Sequence, residues 1–250
     1  MIRLILALLA AIIFFITGII TIPVGFIIGL FNKHTRDLFF LRLVQGAFTV
    51  IKVCAGAKTE YIGLENVPKD TPVLYVANHR SMLDVILTYR VCPDLTGFVA
   101  KDSIKLVPCL NVWMMLLKCI FLDRKNPRAG MQMILDAVAH VKNGISITIF
   151  PEGTRSKGEK EQDLLPFKDG SFKIASKTGC PVIPIAISGS ANIMPKNKIA
   201  LHKAKVVIRY GEPIYISSLS DEDKKHPGAY FRGVIKDMLD ENEKLMNTPS

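Results

Sequence analysis

The run LILALLAAIIFFITGIITIPVGFIIGL, from Leu4 to Leu30, contains no charged residue. As one helix it would extend about 40 Å, against a bilayer hydrocarbon core of about 30 Å. It is too long for the apolar region of a signal peptide and lacks a clear small-residue cleavage site. A buried core helix is not expected at this length either. Gly18, Pro23, Gly25 and Gly29 interrupt the pattern, which predicts a bend near Thr21 to Pro23. Arg3 lies on one flank, and Lys33, Arg36 and Arg42 on the other. Positive charge at both ends fits either a tilted span or a hairpin dipping into one leaflet.

A second apolar stretch, Leu38 to Ala55, follows directly. Its Arg42, Gln45 and Lys52 give it a polar edge, the pattern of an interfacial amphipathic helix. Residues 1–57 are therefore expected to be membrane-binding helices, and residues 58–250 a separate folded domain.

A formal net charge of +10 calls for a polyanionic partner: nucleic acid, anionic lipid or a phosphorylated substrate. The chain has no basic tail, zinc-finger spacing or aromatic RNA-binding signature, so nucleic acid is not expected. The five cysteines are scattered in apolar contexts without a CxxC pair. They are expected to be reduced, buried thiols in a cytosolic compartment, and no metal site is expected.

After Lys58 short apolar runs alternate with helical patterns. Strands are predicted at Thr59–Gly63, Val73–Ala77, Thr96–Ala100, Cys119–Leu122, Ile145–Phe150, Val182–Ile187 and Val206–Tyr210. Helices are predicted at Leu83–Val91, Cys109–Leu117, Pro127–Asn143, Ser171–Lys177 and Asp221–Met246, the last broken early by Pro227 and Gly228. Lys157 to Asp163 reads as a charged loop. The fold class is α/β, a mostly parallel central sheet flanked by helices, with an N-terminal membrane-attached helical segment.

Polar residues at strand ends are where α/β proteins place their chemistry. YVANHRSMLDVILTY, Tyr75 to Tyr89, sets His79 and Asp84 five apart at a strand-to-helix junction. Ser81 and Asp84 also read as a capping box, so the pair is either catalytic or the punctuation of a helix start. FLDRK displays Arg124. FPEGTRS displays Glu152, Thr154 and Arg155 around Gly153. Alone, Arg124 reads as a solvated loop cation and Glu152–Arg155 as a structural ion pair. Together the segments supply a base, an orienting carboxylate and two guanidiniums for a phosphate.

NHRSMLD, FLDR, FPEGTR and VIPIA, in this order and at these separations, resemble the membrane glycerolipid acyltransferase family, most closely the bacterial 1-acylglycerol-3-phosphate (lysophosphatidate) acyltransferases. The resemblance runs from about Lys58 to Tyr210 and includes FVAKDSI around Lys101 and LPFKDGSFKIA from Leu165. At one position the chain departs from the pattern: the FLDR block usually opens with glycine three residues before the phenylalanine, and Lys118 stands there.

The resemblance implies acyl transfer from a thioester, on coenzyme A or acyl carrier protein, to the sn-2 hydroxyl of lysophosphatidate. It implies no bound cofactor and an enzyme at the cytoplasmic face of the cell membrane, where the donor resides. His79 would be the general base and Asp84 its orienter. Arg124, Arg155 and Lys101 would hold the acceptor phosphate. Glu152, Gly153 and Thr154 would belong to the same acceptor site, with Glu152 orienting an arginine or a hydroxyl. Lys196, Lys198, Lys203 and Lys205 would favour an anionic bilayer surface. Two alternatives stand beside this reading: the same chemistry on glycerol 3-phosphate or another lysolipid, and a catalytically silent lipid-binding protein.

Overall fold

The computed structural model describes residues 1–195 and 199–247, apart from the side chain of Pro127. Two long helices come first, α1 (Ile2–Phe31) and α2 (Lys33–Ala55). α1 runs unbroken across Thr21–Pro23, where the sequence predicts a bend. Asn32 separates the helices and caps α2 by accepting the Thr35 N–H at 3.0 Å. They form an antiparallel hairpin. The space a Cβ would need at Gly25 of α1 is filled by the Phe40 ring of α2, and Arg3 lies beside Gly56, just beyond the end of α2.

The outer face of the hairpin is bare. Only 11 % of the most apolar window of α1 is buried, and Ile5, Ile12, Ile16, Ile19 and Ile27 are all more than half exposed. The polar edge expected to sit at a lipid interface instead faces protein. Gln45 is buried and donates to the carbonyls of Tyr89 (3.2 Å) and Cys92 (2.8 Å). Arg42 donates to the Pro93 carbonyl at 3.1 Å. These polar side chains cap the end of the helix that follows the His79 segment and fasten the hairpin to the domain.

The rest is a seven-stranded sheet between helical layers. Its elements are β1 (Ala57–Ile62), β2 (Leu74–Ala77), α3 (Leu83–Tyr89), β3 (Thr96–Lys101), α4 (Leu110–Leu116), β4 (Ile120–Leu122), α5 (Pro127–Lys142), β5 (Ser146–Ile149), α6 (Lys173–Thr178), β6 (Val182–Ser188), α7 (Ser190–Ile193), β7 (Ala204–Tyr210), α8 (Asp221–Lys225) and α9 (Pro227–Met246). The predicted break before α9 is there, at His226. The strand order is β1-β7-β6-β2-β5-β3-β4. Of the pairs between these strands, β6–β7 is antiparallel and the other five are parallel.

Both faces of the sheet are covered, which is why its strands read as continuous apolar runs. Leu74, Val76, Ile147 and Ile149 pack under α5, α6 and α9. Tyr75, Ala77, Ile183, Ile185 and Ile187 face the other way, towards α3. A third cluster joins Phe40 and Val44 of the hairpin to Tyr89, Phe98 and Trp113.

Val76 pairs with Ile149, Phe98 with Thr148, and Lys101 with Leu122, so the ends of β2, β5, β3 and β4 fall within about two residues of one another at one edge. β1 and β7 run the opposite way, and β1 therefore starts at that same edge, one residue after α2. The hairpin enters the domain where the four motif-bearing strands leave it.

Candidate active site

His79 follows β2 and Asp84 lies in the first turn of α3. Their side chains meet, with Nδ1 2.9 Å from Oδ2. Asp84 is fully buried. The same oxygen accepts the backbone N–H groups of Arg80 (2.7 Å) and Ser81 (2.8 Å). Ser81 Oγ in turn accepts the Leu83 N–H at 3.2 Å. The capping pattern and the dyad are thus one structure: the carboxylate that returns to the Ser81 amide is also the one that holds the imidazole. A carboxylate only accepts, so Nδ1 carries the proton and Nε2 is left as the basic nitrogen. The imidazole lies on the Phe150 ring, centroids 4.2 Å apart and planes 22° from parallel.

The second motif grips the backbone of the first. Glu152 is buried. Its Oε1 accepts the His79 N–H (2.8 Å) and its Oε2 the Leu165 N–H (3.0 Å). The Ser156 N–H donates to the His79 carbonyl at 2.8 Å. Glu152, which the resemblance implies orients an arginine or a hydroxyl, is here bonded to main chain through both oxygens. Burial raises its pKa, opposed by the Leu165 and His79 hydrogen bonds. Gly153 makes the turn possible, with φ +71° and the Lys168 side chain where a Cβ would stand. Thr154 and Arg155 project outward and are exposed.

Lys101 ends β3 and Arg124 follows β4. Both are exposed, and burial of part of the Arg124 side chain lowers its pKa, although a guanidinium stays charged. Among the described residues, the side chains of Lys101, Arg124 and Arg155 make no hydrogen bond or ion pair. At about 4.8 Å per strand step, the β4 end lies about 14 Å from the β2 end. The cations thus line the carboxyl edge to one side of His79 without touching the dyad. Lys205 is held away by Glu60 (3.4 Å) and the Leu245 carbonyl (2.9 Å). Lys196 and Lys198 lie outside the described residues.

Lys118 takes the left-handed conformation that favours glycine, φ +57°. It occupies the residue after the C-cap of α4. Its N–H reaches the Met115 carbonyl (3.0 Å), and the next N–H, of Cys119, reaches Met114 (2.9 Å), a Schellman closure.

Sequence reasoning passed over three residues. Asn78 is buried and pairs twice with the backbone of Ile187, donating at 2.9 Å and accepting at 2.8 Å. Phe150 supplies the ring beneath His79. Arg80 donates to the carbonyls of Gly158 and Lys160 and faces Glu161 at 3.5 Å. Glu161 also accepts the Gly189 N–H at 2.9 Å, and burial raises its pKa. The charged segment 157–163 is therefore a strap folded onto Arg80. A buried polar side chain at a strand end, as at Asn78, was the one available signal.

The model of the Acyltransferase family matches residues 58–188, which takes in His79, Asp84, Lys101, Arg124 and the FPEGTRS segment. The chain belongs to the acyltransferase family. It is 31 % identical over 203 residues to a 1-acyl-sn-glycerol-3-phosphate acyltransferase of Borreliella burgdorferi, covering 78 % of this chain and 79 % of that one. It is 37 % identical over 188 residues to a chloroplastic enzyme of that name from Brassica napus, across 74 % of this chain but only 53 % of the relative, so it spans about half the length of that plant protein. The crystal structure of a 1-acyl-sn-glycerophosphate acyltransferase from Thermotoga maritima has the same fold, with TM-score 0.80, 24 % identity, and 96 % and 95 % of the two chains covered. The acyltransferase fold here includes the N-terminal hairpin.

Proposed function

We propose that this protein transfers a fatty acyl group from a thioester to the sn-2 hydroxyl of lysophosphatidate, giving phosphatidate. The observation that carries the reading is the imidazole fixed at 2.9 Å by the buried Asp84, at a strand edge lined by three unpaired cations.

A glycerol hydroxyl is a weak nucleophile at neutral pH. Nε2 of His79 takes its proton as the oxygen attacks the thioester carbonyl, and Asp84 stabilises the imidazolium. The tetrahedral intermediate collapses, the carbon–sulfur bond breaks, and the imidazolium protonates the departing thiolate. Ester and free thiol result, with no group oxidised or reduced. Arg155, Arg124 and Lys101 hold the acceptor phosphate, with Gly153 and Thr154 shaping the loop that presents Arg155. The co-substrate is acyl-coenzyme A or acyl-acyl carrier protein, and no bound cofactor takes part.

Residues 1–57 bind the membrane and residues 58–250 carry the chemistry. The bare apolar hairpin supports this division, and an acceptor drawn sideways from the leaflet avoids exposing its chain to water, at about 0.8 kcal/mol per CH₂. The soluble donor puts the site at the cytoplasmic face.

Acyl transfer by purified protein, measured side by side on lysophosphatidate and glycerol 3-phosphate with defined donors, tests the assignment. Lysophosphatidate should be strongly preferred, and His79→Ala should bind vesicles normally while losing transfer. Preference for glycerol 3-phosphate would move the acceptor assignment, and activity retained in His79→Ala would remove the dyad from the mechanism.

A further inference from the structure

Between Lys101 and β4 the chain carries an apolar surface that packing leaves uncovered. Leu106 is 83 % exposed and Met115 55 %, with Val107 and Val112 also exposed. The opposite face of α4 is buried. Trp113 lies 4.5 Å from the Phe14 ring of α1 and 5.9 Å from the Phe40 ring of α2. Val112 and Met115, three residues apart, share the outer face of this helix, and Trp113 with Leu117 the inner one. A solvated surface has no use for such a group of aliphatic side chains within residues 106–115.

Two observations fix the occupant. The inner face of α4 rests on Phe14 of α1 and Phe40 of α2, so its outer face lies one helix diameter, about 10 Å, from the hairpin whose outer side is bare. The sequence around it is basic: residues 101–128 hold six Lys or Arg against two Asp. Apolar tips with a cationic rim fit the headgroup–acyl boundary of an anionic bilayer.

We infer that residues 104–115 are a second membrane-docking element, which inserts Leu106 and Val107 beside the hairpin and turns the carboxyl edge of the sheet, with His79, onto the leaflet. This rests on the membrane residence proposed above and goes beyond it by fixing how the domain faces the lipid. The hairpin alone leaves the domain free to tilt. Two separated points of insertion hold it, and Lys101 at one border and Arg124 beyond the other then lie at headgroup height.

The test uses the full chain with bimane on Leu106→Cys, in a background where Cys54, Cys109 and Cys119 are serine, bound to vesicles of phosphatidylcholine and phosphatidylglycerol. A nitroxide placed high in the lipid acyl chain should roughly halve the emission. The same label on Lys142→Cys, at the opposite edge of the sheet, should be unaffected. Vesicle binding without quenching at 106, or equal quenching at both positions, overturns the inference and leaves membrane residence intact. Protein that stays in solution overturns both. A second measurement is independent of labelling. Leu106→Asp combined with Val107→Asp should remain on vesicles and lose about tenfold in turnover of a bilayer-embedded acceptor. Its turnover of a short-chain, water-soluble acceptor should be unchanged. Equal turnover ratios in variant and parent would also overturn it.

Discussion

His79 and Arg155 stand at the ends of neighbouring strands and are held in opposite ways. The amide and carbonyl of His79 are both taken by the FPEGTRS segment, its ring rests on Phe150, and its Nδ1 is fixed by a carboxylate that three N–H groups share. Arg155 is exposed and, like Lys101 and Arg124, has no polar partner among the described residues. Proton transfer tolerates little misplacement, so the base must be aligned before the substrate arrives. A headgroup phosphate moves with its lipid, and long cationic side chains can follow it, losing their rotamer freedom only on binding. On the proposed mechanism, one half of the site is pre-organised for chemistry and the other is left free for capture.

Asp84→Asn should break the rigid half most completely. The amide can no longer fix the tautomer, and kcat should fall by about 10,000-fold with vesicle binding intact; a loss under tenfold would remove Asp84 from the mechanism. Arg155→Ala tests the free half, and should raise the KM for lysophosphatidate roughly 10- to 100-fold while leaving the donor KM unchanged. Equal changes in both constants would detach Arg155 from the phosphate. Glu152→Gln sharpens the contrast, because an amide cannot accept from both the His79 and Leu165 N–H groups. Thermal or denaturant unfolding should report a loss of about 1–3 kcal/mol, with kcat falling as well. Lys118→Gly relieves a left-handed lysine away from the dyad and should stabilise by about 1 kcal/mol without changing either KM.

The smallest effect is a pH dependence. Burial raises the pKa values of Glu152 and Glu161 above the ordinary 4.5. The folded chain therefore keeps protons that the unfolded chain has released, and the stability these groups contribute falls as pH rises from about 4.5 through the raised values. Glu161→Gln should flatten that slope in unfolding measured from about pH 4.5 to neutrality. An unchanged slope would mean that Arg80 and the Gly189 amide already offset the burial.

Much of this was legible in the sequence. Strands and helices followed from apolar runs and their punctuation; the spacing of His79 and Asp84 left a dyad and a helix cap both open, and the resemblance implied the dyad. What escaped was whatever depends on strand order. Glu152 meets the His79 amide because β5 lies beside β2 in register, a contact across 73 positions that no local pattern encodes. Arg80 was passed over, and residues 157–163 read as a charged loop, because most of the groups that join them are backbone carbonyls and amides, which have no sequence signature. Gln45 and Arg42 misled for a related reason: a polar edge on an apolar helix faces whichever polar surface folding supplies, and here that is the end of α3.

Gly56 alone joins α2 to β1, and β1 begins at the edge where His79 emerges. On the proposed function, the anchor and the reactive nitrogen then behave as one lever with almost no slack: the depth at which the hairpin settles would set the height at which the imidazole meets a lipid hydroxyl, and a thicker or thinner leaflet would reach the chemistry as a vertical offset.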